Sequence, residues 1–273
     1  MRAERLTRAD VLTWVGPAWR VRPNLLVPVR RPDGAERVLK VAVCGDTDDY
    51  RAERDALRHY AALSSVPRVR AVGLLGWDDD LDLLELERVD GFELGEGWPE
   101  RQDDAQLTAE LAQTMRALWA GPAMTAEWRD LATWMRALDQ PAAGIDAGLL
   151  DRARDLGAEL RQGAEPVVLH GDFHHENVLR EADGSLVVID PKGVLGARGF
   201  DVGALLWNPF GQVLDHPEVM PVRLDVLAAE LTLDRAEVRA WGWVAAVLSA
   251  AWEAEDGGDP AYPLGVAELI ERS

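Results

Sequence analysis

Asp172 lies in the run Val168-Leu169-His170-Gly171-Asp172-Phe173-His174-His175-Glu176-Asn177-Val178-Leu179, and five positions after it stands Asn177. A second acid, Asp190, closes the apolar stretch Leu186-Val187-Val188-Ile189. A carboxylate, an amide oxygen and a strand-terminal carboxylate in that order suit phosphoryl transfer. That reaction asks a protein to align an acceptor hydroxyl and to hold metal ions that bridge nucleotide phosphates. Asp172 suits the hydroxyl, which it would align and relieve of its proton. Asn177 and Asp190 are hard oxygen donors, fit for magnesium, which keeps waters and takes few protein ligands. Singly, each acid has a plainer reading: Asp172 as a turn cap after Gly171, Asp190 as a solvent-facing hairpin acid after Asp183-Gly184. The joint spacing favours the chemistry.

Lys40 interrupts the apolar pattern Val38-Leu39-Lys40-Val41. A charge there needs a partner, and the α- and β-phosphates of a nucleotide are one, with a helix glutamate holding the ammonium. Glu53, in Arg51-Ala52-Glu53-Arg54, is the candidate, because Glu36 is too close in the same hairpin. The alternative is an exposed lysine on an edge strand. His170, His174 and His175 stand beside Asp172 and Glu176 and raise the rival of a zinc or iron hydrolase. Zinc helices space their ligands one turn apart, whereas His174 and His175 are adjacent and point apart. They read better with His170 bracing the loop and one of the other two near a substrate. Glu253, Glu255 and Asp256 follow Trp252 and suit a guanidinium or ammonium ligand, or are a solvated acidic end. Neither a G-x-G-x-x-G nor a Walker A run occurs in the first forty residues, only Val15-Gly16-Pro17. The phosphates then fall to Lys40 and metal rather than to a glycine-rich cradle.

The elements that must position these groups divide in character. Asn24 to Arg30 and Arg37 to Val43 read as strands around the turn Arg31-Pro32-Asp33-Gly34. Val69 to Trp77 and Leu81 to Val89 form a second apolar pair around Asp78-Asp79-Asp80, with a helix between the pairs from Tyr50 to Leu63 that turns Leu57, Tyr60 and Ala61 to one side. The remainder is mostly helical: Leu107, Leu111, Met115 and Leu118 recur at helical spacing, as do Leu131, Trp134, Met135 and Leu138. Asp234 with Glu237 marks a capped start for a helix running towards Trp252. Trp119, Trp128, Trp134, Trp207, Trp241, Trp243 and Trp252 fall in this part and read mainly as core. The expected fold is α+β and two-lobed, residues 1–88 forming a small β-rich lobe and 89–273 a larger, mainly helical one, with the junction at Leu86-Glu87-Arg88-Val89-Asp90-Gly91.

Bulk composition narrows the partners. A net charge of −19 argues against nucleic acid and anionic membranes, where a basic face supplies most of the affinity, and suits a cationic small molecule as well as plain solubility. One cysteine, Cys44, excludes an internal disulfide and suits a reducing cytosol. Met1-Arg2-Ala3-Glu4-Arg5 leads into no apolar signal region, and no run is long enough to span a bilayer, so a cytoplasmic location is expected.

These residues resemble the aminoglycoside phosphotransferase family, in particular its streptomycin 6-phosphotransferase and hydroxyurea-kinase branch. The resemblance is carried by Leu25 to Gly34 with Val38-Leu39-Lys40, by His170 to Leu179, by Ile189-Asp190-Pro191-Lys192-Gly193, and by Trp252-Glu253-Ala254-Glu255-Asp256-Gly257. It implies a protein-kinase-like fold, ATP or GTP as donor, magnesium, and a small cationic acceptor, streptomycin foremost. It further implies Asp172 as catalytic base, Asn177 and Asp190 as metal ligands and Lys40 on the phosphates. The backbone around Glu87 and Val89 would hold the nucleotide base, and Asp201, in Gly199-Phe200-Asp201, would buttress the loop of Asp172. Two positions depart from the family pattern: Gly196-Ala197-Arg198 replaces Gly-Asp-Pro before that aspartate, and Lys192 sets a cation beside the metal acid. Hydroxyurea or an ordinary metabolite as acceptor, and a kinase relic that binds a ligand without turnover, are the alternatives.

Overall fold

The computed structural model describes residues 4–5, 13–14, 19–21, 24–42, 47–63, 69–99, 103–120 and 126–273. Val15-Gly16-Pro17, Cys44 and the first three residues lie outside them. The chain separates into two compact units, one of Met1–Phe92 with Leu179–Lys192, the other of Glu93–Val178 with Gly193–Ser273. The sequence assigns 179–192 to the second lobe. Its pairing decides otherwise: Leu186–Val188 lies parallel to Val69–Ala71, and the Val72 N–H donates to the Val188 carbonyl at 2.8 Å.

The first unit is built on a sheet of seven strands among the described residues. Its centre is antiparallel, Leu83–Glu87 beside Glu36–Ala42 beside Asn24–Arg30. Lys40 therefore stands on an interior strand, not an edge. Pro28, which has no N–H to donate, falls between the stretches of its strand that pair with Thr13–Trp14 and Trp19–Val21. Gly34, at φ +87°, closes the first hairpin as its turn requires. The second apolar pair is less regular than its composition suggests. Val69–Ala71 and Leu74–Asp78 are separate strands in different sheets, broken at Val72-Gly73.

Side-chain alternation gives each face of this sheet its job. Leu84 and Leu86 join Tyr50, Leu57, Val72, Leu74 and Val187 in one buried cluster. Glu85, between the two leucines, is buried on the other face against the Arg31 guanidinium. The helix Thr47–Ala62 lays Tyr50, Glu53, Leu57 and Tyr60 inward, spaced three or four apart, so Glu53 is carried into the apolar stripe. Ala61, expected on that side, lies exposed at its edge.

The second unit is mainly helical, with Asp104–Leu118, Ala147–Arg161, Val219–Leu231, Arg235–Glu255 and Ala261–Arg272. Asp234 caps the Arg235–Glu255 helix, accepting from the Ala236 N–H at 2.7 Å. That helix is the hub of the core, with Val238, Trp241, Val244, Val247 and Leu248 fully buried. It comes close to the short helix Val202–Trp207 because glycine removes the obstructing atoms: a Cβ on Gly203 would lie 2.2 Å from the Ala245 Cβ, and one on Gly242 2.3 Å from Leu206 Cδ1. Leu131, Met135 and Leu138 are buried as their spacing implies, yet the expected single helix is a turn of α-helix, Leu131–Trp134, followed by a 3-10 turn, Arg136–Asp139. Of the tryptophans read as core, Trp119, Trp241 and Trp243 are buried, while Trp128, Trp134, Trp207 and Trp252 are half-buried. A small sheet joins Arg129–Asp130, Val194–Ala197 and Pro166–Leu169, the last delivering the chain to Asp172.

Candidate active site

In the first unit the chemistry gathers on Asp190. The strand Leu186–Val188 is fully packed, and Asp190, just beyond it, turns into the left-handed region at φ +58°. A short polar side chain tolerates that conformation better than most, and unusual backbone of this kind concentrates where a side chain must be aimed. One Asp190 oxygen accepts from Lys40 Nζ; the other accepts from Lys192 Nζ at 2.8 Å. Lys40 also meets Glu53 at 2.7 Å, both side chains less than a tenth exposed. Burial works against the Lys40 charge, but Glu53 and Asp190 beside it outweigh that and raise its pKa. Burial likewise pushes Glu53 up, with Lys40 opposing. For Asp190 burial would raise the pKa, but Lys192 and Lys40 hold it well below the usual carboxylate range. Asp190 is thus a fixed anion.

Glu87 and Val89 occupy a different environment. The Glu87 carboxylate grips Arg70 through two contacts, 2.8 and 2.6 Å, and its own N–H donates to the Gly73 carbonyl at 2.8 Å. Val89 packs against the apolar cluster under the sheet.

In the second unit the loop after Pro166–Leu169 is pinned from below. Asp201, fully buried, accepts from the His170 N–H at 3.1 Å, the Gly171 N–H at 2.8 Å and Trp119 Nε1 at 3.0 Å. Burial pushes its pKa up to about 6 against those three donors, so it is ionised at neutral pH. Gly171 takes φ +82°, turning the chain so that two successive N–H groups face one carboxylate. His170 braces the same turn through Nδ1, which accepts from the Asp172 N–H at 3.3 Å. Asp172 is left partly exposed. Asn177 Nδ2 donates to the Asp172 carbonyl at 2.8 Å and lies 3.0 Å from His174 Nε2. Its amide nitrogen is thereby fixed inward, which leaves Oδ1 as the donor for a cation. Asn177 Oδ1 in the second unit and the ionised Asp190 in the first are each hard oxygen donors of the kind magnesium takes.

The histidines separate. His174 lies near Asp172 and Glu176, 3.7 and 3.4 Å away. His175 is fully buried with neither ring nitrogen hydrogen-bonded, and burial holds its pKa well below the ordinary value. Buried in this way it offers no atom to a substrate, so of the two neighbours His174 is the one left as the substrate candidate. Among the described residues no three His, Cys, Asp or Glu side chains group as a metal site.

Glu253, Glu255 and Asp256 end the Arg235–Glu255 helix, and among the described residues none of their carboxylates forms an ion pair. Negative charge at a helix C-terminus opposes the macrodipole, so these acids lack internal compensation. Among the described residues no side-chain hydrogen bond or ion pair links them to the Asp172 loop. A second acidic group escaped the sequence reading: Glu93, whose pKa is raised by burial and by Glu176 and Glu96, with His174 opposing. Glu93 and Glu96 carry no motif signal, since only the fold brings them to Glu176.

Comparison with known proteins agrees with this architecture. A thermostable mutant of aminoglycoside phosphotransferase APH(4)-Ia, solved as a ternary complex with ADP and hygromycin B, matches at TM-score 0.65 and 17% identity, over 96% of this chain and 93% of that one. A choline/ethanolamine kinase family protein from Mesorhizobium loti matches at TM-score 0.67 and 17% identity, over 95% and 88%. The fold is therefore the α+β protein-kinase-like one, with a small strand-rich part and a larger helical part. Residues 12–257 match the model of the aminoglycoside/hydroxyurea antibiotic resistance kinases, and the chain belongs to that family. It is 32% identical to a hydroxyurea phosphotransferase of Kitasatospora aureofaciens, over 93% of this chain and 74% of that protein. It is 29% identical to a streptomycin 6-kinase of Streptomyces griseus, over 91% and 81%. Family membership makes it a phosphotransferase acting on a hydroxyl-type acceptor.

Proposed function

We propose that this chain transfers the γ-phosphoryl group of ATP or GTP to a hydroxyl of a small polycationic acceptor, streptomycin foremost, and so confers resistance. The observation that carries the reading is the loop from His170 to Asn177, tied down by Asp201 yet leaving the Asp172 side chain partly exposed. Nucleotide binding falls to the first unit. There Lys40, steered by Glu53, neutralises phosphate charge, and the backbone near Glu87 and Val89 receives the base. The acceptor falls to the second unit, where Asp172 aligns its hydroxyl and accepts the proton. Asn177 and Asp190 would hold magnesium, which supplies charge neutralisation at the transferring phosphoryl group. Because phosphoryl transfer leaves little covalent work to the protein, catalysis rests on positioning and fixed electrostatics. Nucleoside triphosphate as co-substrate suits a cytoplasmic site of action, and none of the described helices is long and apolar enough to cross a membrane.

Acidic groups favour a cation as acceptor. Burial, with Glu176 and Glu96 nearby, makes Glu93 costly to ionise, His174 opposing, and Glu253, Glu255 and Asp256 oppose their own helix dipole. Guanidinium groups relieve both, whereas neutral hydroxyurea relieves neither. The second reading, hydroxyurea, is favoured by the 32% identical relative. Parallel kcat/KM measurements on streptomycin and hydroxyurea decide between them. The first reading expects streptomycin to win by orders of magnitude, and a preference for hydroxyurea reverses it.

A further inference from the structure

Arg70 joins two parts of the first unit that the reading above keeps apart. Its backbone lies opposite Val187 where Val69–Ala71 pairs with Leu186–Val188, the strand that leads to Asp190. Its guanidinium makes two contacts with the Glu87 carboxylate, at 2.8 and 2.6 Å, and a third with Glu181 at 3.0 Å. Glu181 closes the strand Val178–Glu181, which lies beside Leu186–Val188 in the same sheet. Glu87 is held from a further side by Gly73, whose N–H donates to Oε2 at 3.0 Å and whose carbonyl accepts from the Glu87 N–H at 2.8 Å. No larger residue fits there without moving the carboxylate, since a Cβ on Gly73 would lie 2.8 Å from that same oxygen.

Resting on the reading that the backbone near Glu87 and Val89 receives a nucleotide base, we propose that Arg70 is the positioning residue for that base. The Glu87 N–H is spent on Gly73, so contacts to a base fall to the neighbouring backbone groups, whose direction follows from how Glu87 is fixed. Hydrogen bonds weaken steeply as they bend, so a small tilt of this strand end loosens the base. A planar guanidinium on a carboxylate resists such a tilt better than a point charge does. The side chains of Arg70, Glu87 and Glu181 are 38%, 31% and 27% exposed, and ion pairs open to solvent in this degree contribute little to folding. Alignment, rather than stability, accounts for a carboxylate gripped by three donors.

The test is calorimetric titration of adenosine, ATP and inorganic tripolyphosphate, with guanosine and GTP alongside, in saturating magnesium, on wild type, Arg70→Met, Arg70→Lys and Gly73→Ala. Tripolyphosphate, which has no base, is expected to bind all four within about twofold. Adenosine and ATP are expected to bind Arg70→Met about five- to tenfold more weakly, the size of one hydrogen bond to the base, with Arg70→Lys in between. Gly73→Ala displaces the carboxylate while leaving Arg70 in place. It should show the same selective loss, and it stands in for Arg70→Met should that variant fail to fold. Unchanged ATP affinity in Arg70→Met, or in its stand-in, overturns the proposal and leaves the kinase reading intact. So does an equal loss of tripolyphosphate and ATP, which marks a general loosening of the unit. A wild-type chain that binds ATP no more tightly than tripolyphosphate removes the base site on which the proposal rests, and one that binds neither sinks the kinase reading as well.

Discussion

Replacing Lys40 by methionine keeps the length of the side chain and removes its charge, and the structure says what that does before any substrate is considered. Glu53 and Lys40 are 2.7 Å apart with side chains less than a tenth exposed, so solvent does little to soften the loss. Glu53 Oε1 already lacks a hydrogen-bond partner, so the carboxylate has no second group to turn to. Removing one member of a buried ion pair typically costs about 3–5 kcal/mol, because the other charge is left uncompensated. Asp190 suffers less, since Lys192 remains 2.8 Å from its second oxygen. Glu53 can escape by taking up a proton, and its pKa is already raised by burial. A raised folded-state carboxyl pKa contributes stability that is present below the unfolded value, about 4.3, and lost as pH rises through the folded value. The variant should therefore lose about 3–5 kcal/mol at pH 8 and distinctly less at pH 5.5. Urea unfolding at both values measures this. Lys40→Met with Glu53→Gln should recover at least half of the stability and none of the turnover. A loss below about 1 kcal/mol at pH 8, or no rescue by the second substitution, refutes the buried-pair argument.

Asp172→Asn should lower kcat by about 10²–10⁴, the usual range for removing a positioned base, with nucleotide affinity by calorimetry unchanged; near-normal turnover contradicts the role. Asp190→Ala should abolish the magnesium dependence of nucleotide binding, and equal affinities with magnesium and with chelator would argue against it as a ligand. Arg223→Met should cost about 3–5 kcal/mol by urea unfolding. Arg223 is fully buried and donates to Asp104 at 2.6 Å and to the Leu205 and Asn208 carbonyls at 3.0 and 2.6 Å. Asp104→Asn in the same chain should restore part of that loss, and a free-standing cost below about 1 kcal/mol means the network is dispensable. Gly203→Ala should destabilise by about 1–3 kcal/mol, since its Cβ would meet the Ala245 Cβ, and a neutral result would show that the two helices can part without penalty.

What could be read in advance was local. Asp172, Asn177 and Asp190 stand out as candidates because loop chemistry depends on spacing along one short stretch. Lys40 is legible because strand alternation makes a charge inside an apolar run conspicuous, and a helix glutamate is the natural partner. The strands around Arg31-Pro32-Asp33-Gly34 and the Asp234 cap follow from turn and cap residues that act within a few positions. Long-range choices were not legible. Nothing in Val219–Leu231 marks Arg223 as a core residue, because its partner Asp104 is 119 positions away. The break at Val72-Gly73 exists because Val69–Ala71 pairs with Leu186–Val188 rather than continuing its neighbour's sheet. The same pairing draws 179–192 into the first unit. Trp119 read as core and is buried, but its second job, donating to Asp201, could be known only once the fold set them side by side. His175 shows the limit from the other direction: identical in type to its neighbour, it differs only in which way the 3-10 turn His175–Asn177 points it.

The most direct test of the central claim is mass spectrometry of acceptors after incubation with the protein, magnesium and ATP or GTP, with streptomycin and hydroxyurea in the panel. Streptomycin is expected to gain one phosphoryl group, the gain to need magnesium, and Asp172→Asn to abolish it while still binding nucleotide. Unmodified acceptors throughout, or a product formed equally well by Asp172→Asn, would contradict the claim.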